Sequence, residues 1–197
     1  MDNKQQTDQW FADRLGLPTS SNYAAVLSKG TTRRNYMVKL AIEVLTGQKE
    51  ESYTNATMQH GIDTEAPARL AYEFETGNTV EEVGFIRHDT LDTGASPDGL
   101  IGKDGLVEIK CPSSAVHIDY LFKGTLPSTY RAQVQGQMWI TDRQWCDFVS
   151  YDDRLPENAQ ISIVRVNRDV DYIANLEIEI NKFIAELNDL VEKLRGW

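Results

Sequence analysis

The apolar positions recur with a period that changes four times along the chain, and each change marks a switch between helix and strand. Between 32 and 46 the apolar residues Tyr36, Leu40 and Val44 fall on one helical stripe, and Gly47 supplies the stop. Ahead of this helix the pattern predicts a short helix near 5–14 and a second from Ser21, whose hydroxyl reads as the N-cap of 22–27. Behind it comes a helix bearing Glu65. Met58, Ile62 and Ala66 share one of its apolar faces, as do Leu70 and Phe74, and Pro67 predicts a kink or a fresh start capped by Thr64. The period then falls to two, predicting strands at 80–87, 93–96, 99–101 and 105–110. Helices follow near 114–123 and around Gln133; on the latter Tyr130, Gln133 and Gln137 share a face, with Val134, Met138 and Ile140 directed inward. Strands at 145–151 and 160–166 precede a last helix from 171, striped by Ile173, Leu176, Ile180, Ile184, Leu187 and Val191. The sum is an α/β (α+β) layered fold, a mixed sheet flanked by helices.

The chain's 197 residues suit one domain, 1–197, with room for a substantial core. No apolar run is long enough for a transmembrane span, and the opening Met1-Asp2-Asn3-Lys4-Gln5 lacks the apolar stretch of a secretory signal, so a cytoplasmic protein is expected. Two cysteines, Cys111 and Cys146, are too few for a disulfide framework or a four-cysteine metal site, and His60, His88 and His117 are scattered without a ligand spacing. The net charge of −10 opposes a simple nucleic-acid binder. The charge is uneven, however. From 29 to 39 the chain carries Lys29, Arg33, Arg34 and Lys39 with no acid, and its tail is rich in acids, so a basic inner face and an acidic exterior reconcile the sum with DNA binding.

Candidate chemistry concentrates in Ser96-Pro97-Asp98-Gly99 and, after a short turn, Leu106-Val107-Glu108-Ile109-Lys110. In a strand Glu108 and Lys110 project from one face while Val107 and Ile109 anchor the other. Two acids and a lysine converging on one point suit phosphodiester hydrolysis, because carboxylates hold hard cations and a lysine orients or deprotonates a water. The same residues also fit an exposed hairpin turning at 102–105, with a like-side ion pair on its surface. Three further features favour the first reading. Glu65, among small residues, is a third carboxylate for a second metal position. The Tyr130–Gln133 face offers uncharged hydrogen-bonding groups for a phosphate or water. Arg14, near the helix start at Ser21, suggests an anion site.

The ordered set Trp10…Arg14…Thr19-Ser20-Ser21, Gly61-x-x-x-Glu65, Ser96-Pro97-Asp98-Gly99-Leu100, Glu108-Ile109-Lys110-Cys111-Pro112 and Tyr130-x-Ala132-Gln133-Val134-Gln135 resembles bacteriophage lambda exonuclease and its YqaJ-type viral recombinase relatives, with no departure at the metal-binding positions. The resemblance implies a restriction-endonuclease-like PD-(D/E)xK core and a Mg2+-dependent exonuclease, with Mn2+ substituting. It also implies digestion of double-stranded DNA ends from the 5′ side, leaving 3′ overhangs for a phage-type single-strand annealing protein. In that scheme Asp98 bridges two ions, Glu108 and the Ile109 carbonyl complete one, and Glu65 holds the other. Lys110 positions the attacking water, and Gln133 hydrogen-bonds the lysine, water or phosphate. Arg14, Ser21 and Ser96 receive the terminal 5′-phosphate, and Trp10 packs near the DNA end. The relatives are ring-shaped trimers, which places Arg33 and Arg34 on an inner wall, in a phage or prophage protein acting in the bacterial cytoplasm. Two alternatives stand beside it: an endonuclease on the same core, and a non-catalytic DNA-binding or partner-docking module.

Overall fold

The computed structural model describes residues 5–49 and 56–197, with side chains from Gln59 onward in the second segment. Among the described residues seven strands form two sheets. The main sheet has the order β1 (Val80–Glu81), β4 (Gly99–Ile101), β5 (Gly105–Lys110), β6 (Trp145–Tyr151), β7 (Ile161–Asn167). Only β5 and β6 run parallel, joined through the helices α5 (Ser114–Lys123) and α6 (Arg131–Thr141). A separate two-stranded ladder pairs β2 (Ile86–Arg87) with β3 (Gly94–Ala95).

Alternation along β5 divides the core. Val107 and Ile109 join Ala68 and Tyr72 of α4 (Ala56–Thr76), together with Val149 and Tyr151. Leu106, on the opposite face, joins Val134 and Met138 of α6, with Cys146 and Phe148. A third cluster is helical. Tyr23 and Val26 of α2 (Tyr23–Leu27), Leu40 and Ala41 of α3 (Thr31–Thr46), and Leu176, Ile180, Phe183, Leu187 and Val191 of α7 (Val170–Arg195) pack together. Gly136 lets α6 approach this cluster, because a Cβ there would lie 2.4 Å from the Tyr23 ring. Among the described residues no helix is long and apolar enough to cross a membrane.

The element order follows the hydrophobic pattern, with instructive departures. The run 80–87 is broken in two: Phe85 is buried against Gly94, where a Cβ would meet its ring at 2.3 Å, and the chain leaves the main sheet. α4 runs unbroken through Pro67, with neither a fresh start nor a Thr64 cap, since Thr64, Ala68 and Tyr72 bury its face against the sheet on both sides of the proline. Its expected stripe is reversed accordingly. Ile62, Leu70 and Phe74 are exposed, Phe74 by 91%, because the face set by Thr64, Ala68 and Tyr72 is the one turned to the sheet. The Met58 side chain lies outside the described residues. On α3 the buried set is Leu40, Ala41 and Glu43, whereas Val44 is exposed. Ser21 caps no α-helix: a 3-10 turn, Ser20–Asn22, comes first, and Asn22 occupies the cap of the five-residue α2.

Candidate active site

The hairpin β4–β5 brings the paired motifs together. Gly99 registers with Val107 and Ile101 with Gly105, so Asp98, just ahead of β4, lies beside Ile109 of β5. Its Oδ2 accepts the Ile109 backbone N–H at 2.6 Å, which fixes the carboxylate across the strand pair. Glu108 is 1% exposed, and both its oxygens are engaged. Oε1 accepts from the Lys110 ammonium and from Gln133 Nε2, the latter at 2.5 Å; Oε2 accepts from Gln137 Nε2, also at 2.5 Å. Gln133 and Gln137 stand one turn apart on α6, so a single helix face holds a buried carboxylate from above. Tyr130 precedes that helix, with the Lys110 ammonium 5.5 Å from its ring centre.

Glu65 projects from α4 beside the same strand end. It lines a cleft of about 420 Å3 with Lys110, Cys111 and Tyr130, and a second of about 170 Å3 with Asp98 and Gln5. Arg69 stands 3.8 Å from it on the next helical turn and also pairs with Glu82. The electrostatics are those of crowded acids. Burial, then the charge of Glu108, pushes the Asp98 carboxyl well above its usual range; Lys110 opposes the shift without cancelling it. Burial likewise raises Glu65, with Arg69 pulling the other way. Burial would lower Lys110, but Glu108 and Asp98 outweigh it, so the ammonium is held above its ordinary value and stays charged at neutral pH. One cation thus faces an excess of carboxylate oxygens, a donor set suited to hard divalent ions. At the spacing seen here these acids are tied up by Ile109, Lys110, Gln133, Gln137 and Arg69. Among the described residues the group whose three ligand atoms all lie within 4.8 Å of one another is a different one: His60, Asp152 and Asp153.

A second polar site lies at the amino end. α1 (Asp8–Arg14), capped by Thr7, carries Trp10 and Arg14 on one side. The Arg14 guanidinium sits 3.9 Å from the Trp10 ring centre, and Ser96 Oγ accepts from Trp10 Nε1 at 2.9 Å and from Arg14 at 3.5 Å. A cavity of about 130 Å3 opens here, lined by Arg14, Lys39, Lys49, Thr19 and Tyr36. Burial holds Arg14 down at about 10, with Tyr36 and Glu43 only partly offsetting it. A partly buried guanidinium with two neighbouring lysines makes an anion site.

Trp10, Arg14 and Ser96 therefore meet, and so do Asp98, Glu108, Lys110, Gln133, Glu65 and Tyr130. The exposed Ser21 hydroxyl pairs at 3.2 Å with Thr19, which lines the Arg14 cavity. Arg33 is not a free inner-wall cation either. It forms a two-pronged pair with Glu186 of α7, at 2.6 and 2.9 Å, so the basic segment and the acidic tail pack against each other and do not lie on opposite sides. Arg34 is exposed. The sequence reading set Gln137 on the Gln133 face, at i+4 spacing, without assigning it a role at the acids. It missed Lys49 and Tyr36, for which linear order carries no signal.

Residues 9–144 match the YqaJ-like viral recombinase domain. The chain belongs to that family. A crystal structure of an alkaline exonuclease, LHK-Exo, from Laribacter hongkongensis superposes with a TM-score of 0.93 at 48% identity, covering 96% of this chain and 97% of that one. A second structure of LHK-Exo, in complex with dAMP, aligns with the same coverage at 49% identity and a TM-score of 0.93. A phage-related exonuclease from Haemophilus somnus 129PT shares the fold, with a TM-score of 0.73 at 13% identity over 90% of this chain and 96% of that one. An uncharacterised protein of Acanthamoeba polyphaga mimivirus is 25% identical over 74% of this chain, a match that spans 29% of that relative's length. The YqaJ-like family match ends just before β6. Asp98, Glu108, Lys110 and Gln133 therefore lie within it, whereas Asp152 and Asp153 lie beyond.

Proposed function

We propose that this YqaJ-like protein is a divalent-metal-dependent exonuclease that digests double-stranded DNA from a 5′-phosphorylated end and leaves a 3′ strand for recombination. The observation that carries the reading is the meeting of Asp98, Glu108 and Lys110 on one hairpin, with Glu65 facing them from α4. The relatives add that LHK-Exo is an exonuclease and binds a nucleotide.

The donor set fits Mg2+: hard carboxylate oxygens, two of them on groups whose pKa is raised by crowding and lowered again by a dication. Asp98, Glu108, the Ile109 carbonyl and Glu65 are the groups that would hold such ions. Bound there, divalent ions stabilise charge on the attacking and leaving oxygens of a phosphodiester. Lys110, beside Glu108, orients the attacking water. Gln133 and Gln137 keep the Glu108 carboxylate oriented, and Tyr130 walls the cleft. Arg14, with Trp10 and Ser96 beside it, receives the terminal phosphate, whose dianion a guanidinium prefers to a diester. On family membership alone, the reading extends to a trimeric ring and an annealing partner.

The test is digestion of linear and covalently closed duplex with Mg2+. Release of mononucleotides from linear DNA alone is the expected result. Cleavage of the closed circle would favour the endonuclease alternative.

A further inference from the structure

His60 has the geometry of a metal ligand, although nothing in its linear context marks it. It sits on α4, five residues ahead of Glu65. Its Nε2 is buried and has no hydrogen-bond partner. Facing it across the end of β6 is Asp152, which is 0% exposed and whose Oδ2 is likewise buried and unpartnered. The half-open third member is Asp153, exposed to solvent. One ligand atom from each of the three lies within 4.8 Å of the others.

The surroundings orient these groups. Asp152 Oδ1 is consumed by Arg154, accepting its backbone N–H at 3.1 Å and its Nε at 2.6 Å, while Arg154 also donates to the Pro112 carbonyl at 2.8 Å. This, with the Ser114 side chain close by, fixes the carboxylate, and Oδ2 has no hydrogen-bond partner. His60 Nδ1 lies 3.3 Å from Thr64 Oγ1 one turn along α4. If Nδ1 carries the proton and donates it to Thr64, Nε2 presents a lone pair to the gap, the arrangement that a metal-bound histidine requires of its second nitrogen. Two residues of this cluster thus each keep a buried polar atom without a partner, a cost that a ligand can relieve. A cation between them would meet both.

We propose that His60, Asp152 and Asp153 form a second metal site, separate from the Asp98–Glu108 acids, that takes a zinc-class transition-metal dication. The donor set decides the class. An imidazole nitrogen with two carboxylates suits Zn2+, whereas Mg2+ seeks an all-oxygen shell. The two aspartates neutralise the dication. Bonds of about 2.0–2.2 Å place tetrahedral ligand atoms about 3.4 Å apart, so closure asks for contractions of up to about 1.4 Å, in which the exposed Asp153 side chain moves toward His60 and Asp152 and these two draw together. The site ties the front of α4 to the end of β6, the strand parallel to β5. It is therefore a positioning site, holding the helix that carries Glu65 against the hairpin that carries Glu108.

The experiment uses the full chain with Asp98→Asn, so that cations retained by the other acids do not confuse the reading. Zinc content is measured by elemental analysis after equilibrium dialysis in millimolar Mg2+. One zinc per chain is expected, with affinity falling at least about tenfold on adding Asp153→Asn or His60→Gln. Asp153 is exposed, so its substitution leaves the fold intact, and thermal unfolding checks this. Substitution of Co2+ for Zn2+ should give a visible ligand-field band that Asp153→Asn weakens. Equal zinc affinity with and without Asp153→Asn overturns the proposal, as does absence of zinc from Asp98→Asn itself. Because the readout is metal content, the outcome does not depend on whether the chain digests DNA.

Discussion

Replacing Gln137 with leucine removes a hydrogen bond to the buried Glu108 carboxylate while keeping the volume of the side chain. Gln137 is 0% exposed and donates to Glu108 Oε2 at 2.5 Å. A hydrogen bond to a charged group contributes about 1.5–3 kcal/mol. Part of this is returned, because the Gln137 Oε1 is itself buried without a partner, and deleting that orphan relieves about 1 kcal/mol. The net loss is about 0.5–2 kcal/mol, a fall in Tm of about 1–8 °C for a chain of this length. Calorimetry of the metal-free protein at neutral pH measures it. Leucine could also destabilise through shape alone, so the same change is made in Glu108→Gln, where the carboxylate is gone. The loss should shrink there by at least about 1 kcal/mol in a double-mutant cycle. A Tm equal to or above that of the wild type, or an undiminished loss in the Glu108→Gln background, would refute the inference that Gln137 holds Glu108.

Arg14→Ala should shrink the advantage of 5′-phosphorylated over 5′-hydroxyl duplex by about tenfold or more, the loss of a charged hydrogen bond; an equal loss on both ends, in paired digestion assays, would reduce Arg14 to a folding residue. Because burial and Glu108 raise Asp98 in the folded, metal-free protein, its contribution to stability is present below the ordinary aspartate range and lost as pH rises through the raised value. Cation binding needs the ionised form, so Mg2+ affinity should climb from acid to mildly alkaline pH with proton release, read by calorimetry in buffers of different ionisation enthalpy; a pH-independent affinity contradicts this. Gly136→Ala forces a Cβ to 2.4 Å from Tyr23 and should cost about 1–3 kcal/mol by overpacking, seen in denaturant unfolding.

Much of this architecture is written locally in the chain. The Gly102–Gly105 turn and the alternation through Lys110 determine the hairpin, and with it the meeting of Asp98 and Glu108. Helix α5 and strand β6 begin and end where the periodicity changes. What could not be read is what depends on partners distant in sequence. Leu70 and Phe74 look like a core stripe, yet α4 buries Ala68 and Tyr72, because Ala68 packs with the sheet and the Tyr72 hydroxyl finds Asp147 of β6, 75 positions away. Arg33 looks like a free cation until α7 supplies Glu186. His60 is 92 and 93 positions from Asp152 and Asp153, so no spacing rule joins them. The candidate site acids were legible because one hairpin holds two of them; the lysines of the Arg14 cavity were not, because Lys39 and Lys49 reach Arg14 only through the packing of α3.

The most direct test of the central claim is a time course of nucleotide release from a 5′-phosphorylated linear duplex, with and without Mg2+, for wild type, Asp98→Asn and Lys110→Met. The account predicts release by the wild type only with the ion, none by Asp98→Asn, and retained Mg2+ binding but no turnover by Lys110→Met. Wild-type release rates in Lys110→Met, or metal-independent release by the wild type, would contradict it.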